Sequence, residues 1–496
     1  MRVEELLVLH DGRVLDTATG TLADADIIVS GDTIAAIVDR PASPKEARRI
    51  DASGRILIPG LVNAHTHSQG NLAKAVGDRW TLELLLNAGP WMNAGRTAAD
   101  KYLSAQLGAV EMIRRGCTAC YDLFAEIPAV SVDGILAVAQ AYSDIGMRAV
   151  VAPMLADQSF YESVPGLLEA LAPEDRRRAE AIRMPAPDSM LAVLREARRR
   201  WPDGLSNVTL AIAPTIPLLC SQDFLLACRA LASEQGLRLH THMAESRVWA
   251  RAALRRYGKT LTEFFDELGL LGPHFTAAHA VWISREDMRR MADRGCSVAH
   301  NPASNMRLGS GLADIRAMLR MGINVGLGTD GCNCGDNLSM FEAMRLASFS
   351  SRIQQHDWSD WLSTREVVAL ATTGSARALG LADAIGRIAV GCKADLVFLK
   401  ADDVSLVPLN DPINQLVHCT DGTAVDSVMI GGRLVLDRGR FIGVDYERLV
   451  ADAGRAAERL VAANAATRAW TTALESVIGG HCSGLVGPPI ASGWRP

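Results

Sequence analysis

The chain has 496 residues, 49% of them hydrophobic, and 51 basic residues against 56 acidic ones give a formal charge of −5. That length holds one large α/β barrel plus a smaller unit, or several ordinary domains. The weak acidity speaks against nucleic acid or an anionic membrane as a partner, and no apolar run is long enough to span a bilayer.

The opening MRVEELLVLHDGRVLD carries acidic residues where a secretory leader would be positive, so no signal peptide is expected. The ten scattered cysteines fit free buried thiols in a cytoplasmic protein. Short alternating or apolar runs fill the first 58 residues: Leu6–Leu9, Arg13–Asp16, Asp26–Val29 and Thr33–Val38. Asp11-Gly12 and Gly31-Asp32 supply hairpin-type turns. The same texture returns at Ala394–Lys400, Ser427–Ile430 and Arg433–Asp437. Residues 1–58 and 385–445 are therefore expected to form one small β-sandwich domain made from both chain ends.

Residues 59–384 alternate strand-like and helix-like segments. The strand-like runs are one ending at His67, then Thr118–Leu123, Arg148–Leu155, Val208–Thr215, Leu237–His242, Phe275–Val281, Cys296–Asn301 and Asn324–Asp330. Helical patterns such as Ala105–Arg115 and Ser310–Met321 lie between them. Eight such runs predict an α/β fold, a (β/α)8 TIM-like barrel, with its active site at the C-terminal ends of the strands. Residues 156–207 form a long proline-bearing connection whose arginine triplets suit solvated helix faces, and which could cover the barrel mouth. Residues 446–496 are expected to give a C-terminal helix over Tyr446–Glu475 and an irregular Gly/Pro-rich tail.

Chemistry collects where the strand-like runs end. The segment Ile56–His67 reads ILIPGLVNAHTH, and alternation on a strand puts His65 and His67 on one face. HTHMAES supplies His240, His242 and Glu245, AAHAV supplies His279, VAHNPASN supplies His300 and Asn301, and GLGTDG supplies Asp330. A lone HxH recurs by chance, but His and Asp at several successive strand ends do not. Borderline divalent metals take imidazole nitrogen with carboxylate oxygen acceptable, so His65, His67, His242 and Asp330 are the candidate ligands of one divalent ion. Zinc is the first choice, with Fe2+, Mn2+ and Co2+ as alternatives. No lysine occurs between Lys101 and Lys259, which removes a bridging carbamylated lysine from the fourth strand and favours one metal over two.

Blander roles compete for some residues. Glu245 can cap a helix, His279 can be a core histidine, and His240 sits one layer below His242 as packing. His300 divides between support for the site and substrate contact. Gln69, Trp80, Trp91, His300 and Asn301 are the candidate substrate contacts, because a flat heterocycle is well served by a stacked indole. Aromatic rings also pack cores, and Phe160 and Tyr161 are further candidates. Cys117 and Cys120 match a redox CxxC in spacing only, and Ser310 lacks the strand-to-helix context of a nucleophilic serine.

The motifs PGLVNAHTH, HMAES, AAHAV, HNPASNMRLGSG and GLGTDG, with the closing ATTGSARALGLADAIGRIAVGCKADLVFL, resemble the amidohydrolase superfamily. The resemblance is to its mononuclear deaminase and chlorohydrolase branch, which includes methylthioadenosine/S-adenosylhomocysteine deaminases, guanine deaminases and triazine hydrolases. It covers about residues 1–445. It implies the same four ligands, Glu245 as the carboxylate that shuttles protons, and His279 as the histidine that contacts the metal's water. It also implies a homo-oligomer, dimer or tetramer. The expected reaction is attack by metal-activated hydroxide on a ring carbon bearing an amino group, with Asp330 as base. An amide, urea, carbamate, chloro- or alkylamino-triazine hydrolase would keep the same site. A catalytically silent scaffold would have lost ligands that this chain retains.

Overall fold

The computed structural model describes residues 6–39 and 47–486. All eight predicted barrel strands are present: Leu61–Thr66, Cys117–Phe124, Arg148–Leu155, Val208–Leu210 continued by Ala213–Pro214, Leu239–Met243, Phe275–His279, Ser297–His300 and Asn324–Leu327. They are parallel and pair in sequence order as two four-stranded halves. Parallel bridges Ile212↔Leu239 and Thr66↔Asp330 join the halves at both seams, so the curled sheet meets itself. Every residue of the first, second, fifth and sixth strands is buried, as expected for parallel strands covered on both faces.

The interior is packed with small side chains, including Ala64, Ala119, Ala152, Ala213 and Ala299, around the larger Tyr121 and Leu123. Small residues leave axial space, and the imidazoles of the first and fifth strands occupy its upper part. The helix Ala98–Arg114 returns the chain between the first two strands, beginning earlier than Ala105 because Thr97 and Asp100 form a reciprocal capping pair. The predicted helix Ser310–Met321 shortens to Ile315–Arg320, capped by Asp314.

Two further sheets flank the barrel. One pairs Thr33–Val38, Asp26–Ser30, Leu6–His10 and Arg48–Asp51. The other runs from Arg440–Phe441 through Arg433–Asp437, Val425–Ile430, Leu396–Lys400 and Arg55–Pro59 to Arg13–Leu15 and Leu22–Asp24. Both contribute to one apolar cluster that includes Leu9, Ile27, Leu57, Phe398 and Met429. Arg148, at the start of the third barrel strand, clasps buried Asp395 with hydrogen bonds of 2.7 and 3.1 Å.

The long connection carries four helices, Phe160–Ser163, Leu167–Ala170, Pro173–Glu180 and Pro187–Arg199. After the second flanking sheet come Tyr446–Ala463 and Ala465–Val486. The expectation of an irregular tail fails over residues 479–486, which continue the last helix, while 487–496 lie outside the described residues. The reason is packing. Thr471, Leu474, Ile478 and Cys482 form one buried stripe at helical spacing, and burial outweighs the low helix propensity of Gly479, Gly480 and Gly484. No described helix is long and apolar enough to cross a membrane.

Candidate active site

The chain reversals that end the strands hold the candidate residues in costly backbone conformations. Ala244, His279, Ala280 and Asp330 have φ of 46°, 68°, 50° and 60°, a region that L-residues with a Cβ seldom enter. Such strain costs on the order of 1–3 kcal/mol per residue and persists where the surroundings over-determine it. Here they do. Asp330 N donates to His65 O at 3.0 Å, Thr66 Oγ1 donates to Asp330 O at 3.1 Å, and Gly331 N donates to Asp330 Oδ1 at 2.8 Å.

His65, His67, His242 and Asp330, from three strand ends far apart in sequence, converge. The ligating atoms of His65, His67 and His242 lie within 4.8 Å of one another, as do those of His65, His279 and Asp330. Asp330 Oδ1 is 3.1 Å from His67 Nε2 and 3.6 Å from His65 Nε2. Glu245 Oε2 is 3.4 Å from His279 Nε2, which is 3.8 Å from Asp330 Oδ2.

The hydrogen bonds behind these rings decide what the cluster can hold. His67 Nδ1 pairs with Leu123 O, and His242 Nδ1 pairs with Thr215 O. A carbonyl only accepts, so both Nδ1 atoms carry protons and both Nε2 lone pairs point inward in the neutral rings. Those two Nε2 atoms are 3.1 Å apart. Two facing lone pairs repel unless a proton or a metal cation lies between them. Both ring nitrogens of His65 are buried without a hydrogen-bond partner. The donor set therefore fits a divalent cation, with carbonyls fixing the outer nitrogens as they do around metal-binding imidazoles.

Electrostatics divide the two carboxylates. Burial would raise Asp330, but its hydrogen bond with His67 and the charge of that ring hold the carboxyl well below its usual range. Glu245 goes the other way, pushed well above its ordinary value by burial and then by the charges of Asp330 and Glu83. Burial also lowers His242 to about 3 and pushes His65 well below its usual value. Against burial, Asp330 raises His67. A carboxyl held low at Asp330 beside one pushed high at Glu245 makes a set able to take up a proton in one place and release one in another. His279 is oriented by Asn305, whose Oδ1 lies 2.8 Å from its Nδ1. That nitrogen then carries the proton, and Nε2 is an acceptor facing the site.

The cluster forms the floor of a cavity of about 1430 Å³, counting its open mouth. His67, His242, Glu245 and Asp330 lie at its base, and the walls are largely apolar. Leu82, Leu85, Leu86 and Met92 come from the helix Leu82–Asn93, and Phe160, Tyr161, Ile182 and Met184 come from the long connection.

Of the candidate substrate contacts, Gln69, Phe160 and Tyr161 line this cavity, whereas Trp80, Trp91, His300 and Asn301 do not. Trp80 lies beside Gly77 and donates Nε1 to Glu475 Oε1 at 3.2 Å. Trp91 is buried with Ala73, Ala88 and Met92 beneath Arg468. Both indoles pack, because the C-terminal helix claims the face of Leu82–Asn93 on which Trp91 lies. His300 and Asn301 are buried and absent from the cavity wall. Asn301 Nδ2 stands 3.4 Å from His279 Nδ1, behind the site.

Sequence reasoning missed the supporting polar residues. Asn63 donates to Thr329 Oγ1 at 2.7 Å and accepts from Thr329 N at 3.1 Å and His65 N at 3.2 Å, fastening the eighth strand end to the first. An amide inside the apolar run LVNAHT was the available signal. Buried Asp122 accepts from Ser68 N at 2.7 Å and Tyr142 Oη at 3.1 Å.

Fold and site define a barrel hydrolase with a candidate metal centre at its strand ends. The model of the Amidohydrolase family matches residues 56–435, and the chain belongs to that family. It is a hydrolase acting on carbon–nitrogen bonds other than peptide bonds. The chain is 33% identical over 459 residues to a 5'-deoxyadenosine deaminase of Methanothermobacter thermautotrophicus, covering 91% of this chain and 98% of that one. It is 32% identical to a 5-methylthioadenosine/S-adenosylhomocysteine deaminase of Desulforudis audaxviator, covering 92% and 99%. Among solved structures it is similar to an adenosine deaminase from Xanthomonas campestris with bound zinc (TM-score 0.80, 27% identity, 92% and 98% covered). It is also similar to an atrazine chlorohydrolase from Arthrobacter aurescens complexed with zinc (TM-score 0.81, 27% identity, 91% and 100% covered).

Proposed function

We propose that this protein is an aminohydrolase that replaces the exocyclic amino group of a nitrogen heterocycle with oxygen and releases ammonia, with adenosine-type rings as the first substrates to test. The observation that carries this is the meeting of His65, His67, His242 and Asp330 with Glu245 and His279 at the base of one cavity. The deaminases named among its relatives support it.

We assign His65, His67, His242 and Asp330 as ligands of one divalent ion, zinc first, with Fe2+, Mn2+ and Co2+ as alternatives. Bound there, such an ion makes water acidic enough to supply hydroxide near neutral pH. Asp330, the ionised carboxylate, takes the proton that water gives up. Glu245, whose carboxyl burial pushes up, delivers a proton to the ring nitrogen beside the attacked carbon and regains one from the added hydroxyl, and the departing amine takes the proton that Asp330 accepted, leaving as ammonia. His279 accepts a hydrogen bond at Nε2 from the added hydroxyl and so orients it. The apolar walls keep bulk water from the reacting ring and receive its substituent.

We take residues 1–58 with 385–445 as a small β-sandwich domain, 59–384 as the barrel, and 446–496 as a C-terminal extension packed on it. A cytoplasmic setting fits ten unpaired cysteines, nine of them buried. A homo-oligomer, dimer or tetramer, is expected by family analogy.

The test is ammonia release from 5'-deoxyadenosine, 5-methylthioadenosine, S-adenosylhomocysteine, guanine and aminated triazines by metal-analysed protein. Ammonia from any of them supports the proposal. Likeness to the atrazine chlorohydrolase, with the apolar walls, favours one alternative. Chloride or alkylamine from a triazine, with no ammonia from any heterocycle, would select it.

A further inference from the structure

Glu83 is a buried carboxylate with no place in the reaction described above. It lies in the first turn of the helix Leu82–Asn93 and is 3% exposed. It does not line the cavity, although Leu82 and Leu85 beside it do. Its Oε1 accepts a hydrogen bond of 2.6 Å from Ser246 Oγ. Ser246 follows Glu245 directly and caps the helix Arg247–Tyr257, its Oγ accepting from Trp249 N at 3.4 Å. A buried carboxylate is costly unless hydrogen-bonded, and this one spends its bond on the residue next to the proton-carrying glutamate.

The loop it grips needs gripping. Ala244, before Glu245, holds the left-handed φ of 46°. Trp282 N ties Ala244 O from one side at 2.9 Å. Ser246 ties the other side to Glu83, so Glu245 hangs between two fixed points. The C-terminal helix Ala465–Val486 packs against both helices that meet here, Leu82–Asn93 and Arg247–Tyr257.

We propose that Glu83 is a positioning residue for Glu245, acting through the Ser246 hydroxyl to couple the cavity-wall helix to the proton-transfer group. This role rests on Glu245 being the proton donor.

The test is a double-mutant cycle on the metal-loaded full chain with Glu83→Ala, Ser246→Ala and the pair, alongside the conservative Glu83→Gln and Ser246→Thr. Three readouts are taken: kcat and KM for ammonia release from 5'-deoxyadenosine, metal content, and amide hydrogen exchange across residues 244–249. Each alanine variant is expected to lose about 10–100-fold in kcat, the scale of a misplaced catalytic group, with KM and metal content unchanged. The pair loses no more than the worse single variant. Glu83→Gln and Ser246→Thr retain an acceptor and a hydroxyl and recover most of kcat. Additive losses, a change confined to KM, or wild-type kcat in Ser246→Ala would overturn the proposal. Should Glu83→Ala not fold, the two Ser246 variants and Glu83→Gln decide by the same criteria. Hydrogen exchange needs no substrate: faster exchange of this loop in Glu83→Ala supports the tether even if no heterocycle yields ammonia, and unchanged exchange sinks it whatever the substrate.

Discussion

The floor and the walls of the cavity are built by opposite means. The floor comes from strand ends, where strained backbone at Ala244, His279 and Asp330 is held by hydrogen bonds and little can shift. The walls come from helices outside the barrel's strand-and-helix repeat. Tyr161 of the long connection donates to Asn87 Oδ1 at 2.9 Å, and Asn87 Nδ2 donates to Thr471 O of the C-terminal helix at 2.8 Å. That chain of contacts ties three separate segments into one wall. The proposed function accordingly assigns reaction type to the rigid floor and choice of substrate to the wall.

Substitutions can break this division, beginning at the floor. Asp330→Asn should leave the fold intact, as thermal unfolding would show, and lower kcat by roughly 10³-fold or more, since general acid–base help alone reaches about 10⁴-fold. Near-normal rates in a correctly metallated variant would remove its role as base. Glu245→Gln should cost about 10²–10³-fold in kcat while elemental analysis finds the metal retained; metal loss would make it a ligand instead. Gly328→Ala tests the scaffold beneath the floor. An added Cβ would stand 2.2 Å from Asn301 Oδ1 and 2.8 Å from His65 Cβ. It should destabilise the protein by about 1–3 kcal/mol in denaturant unfolding and weaken metal retention, because His65 must move. The smallest effect belongs to the wall. Tyr161→Phe removes one hydrogen bond worth about 1 kcal/mol and should raise KM by a few-fold with kcat unchanged. If Tyr161→Phe lowered kcat and left KM alone, floor and wall could not be treated as separate parts.

What could be read from the sequence follows the same line. The eight strands and the convergence of His65, His67, His242 and Asp330 were legible because period-2 runs ending in histidine or aspartate obey local rules. Trp80 and Trp91 misled because an indole signals burial as readily as binding, and only the tertiary path of the C-terminal helix decides between them. Asn63, Asp122 and Glu83 escaped notice because single polar residues in apolar surroundings carry no spacing that points to a distant partner. The last helix runs past the expected end at Glu475: Gly479 and Gly480 weigh against helix locally, whereas the stripe Thr471, Leu474, Ile478 and Cys482 stabilises it through contacts.

The central claim is that one cation joins the lone pairs of His65, His67 and His242 and the carboxylate of Asp330. Elemental analysis of purified protein, repeated for His67→Ala and His242→Ala, measures this directly. The wild type should carry about one divalent ion per chain, as a mononuclear site requires, and both variants should lose it along with turnover while remaining folded. A folded, active wild type without metal, or variants that keep a full equivalent, would contradict it.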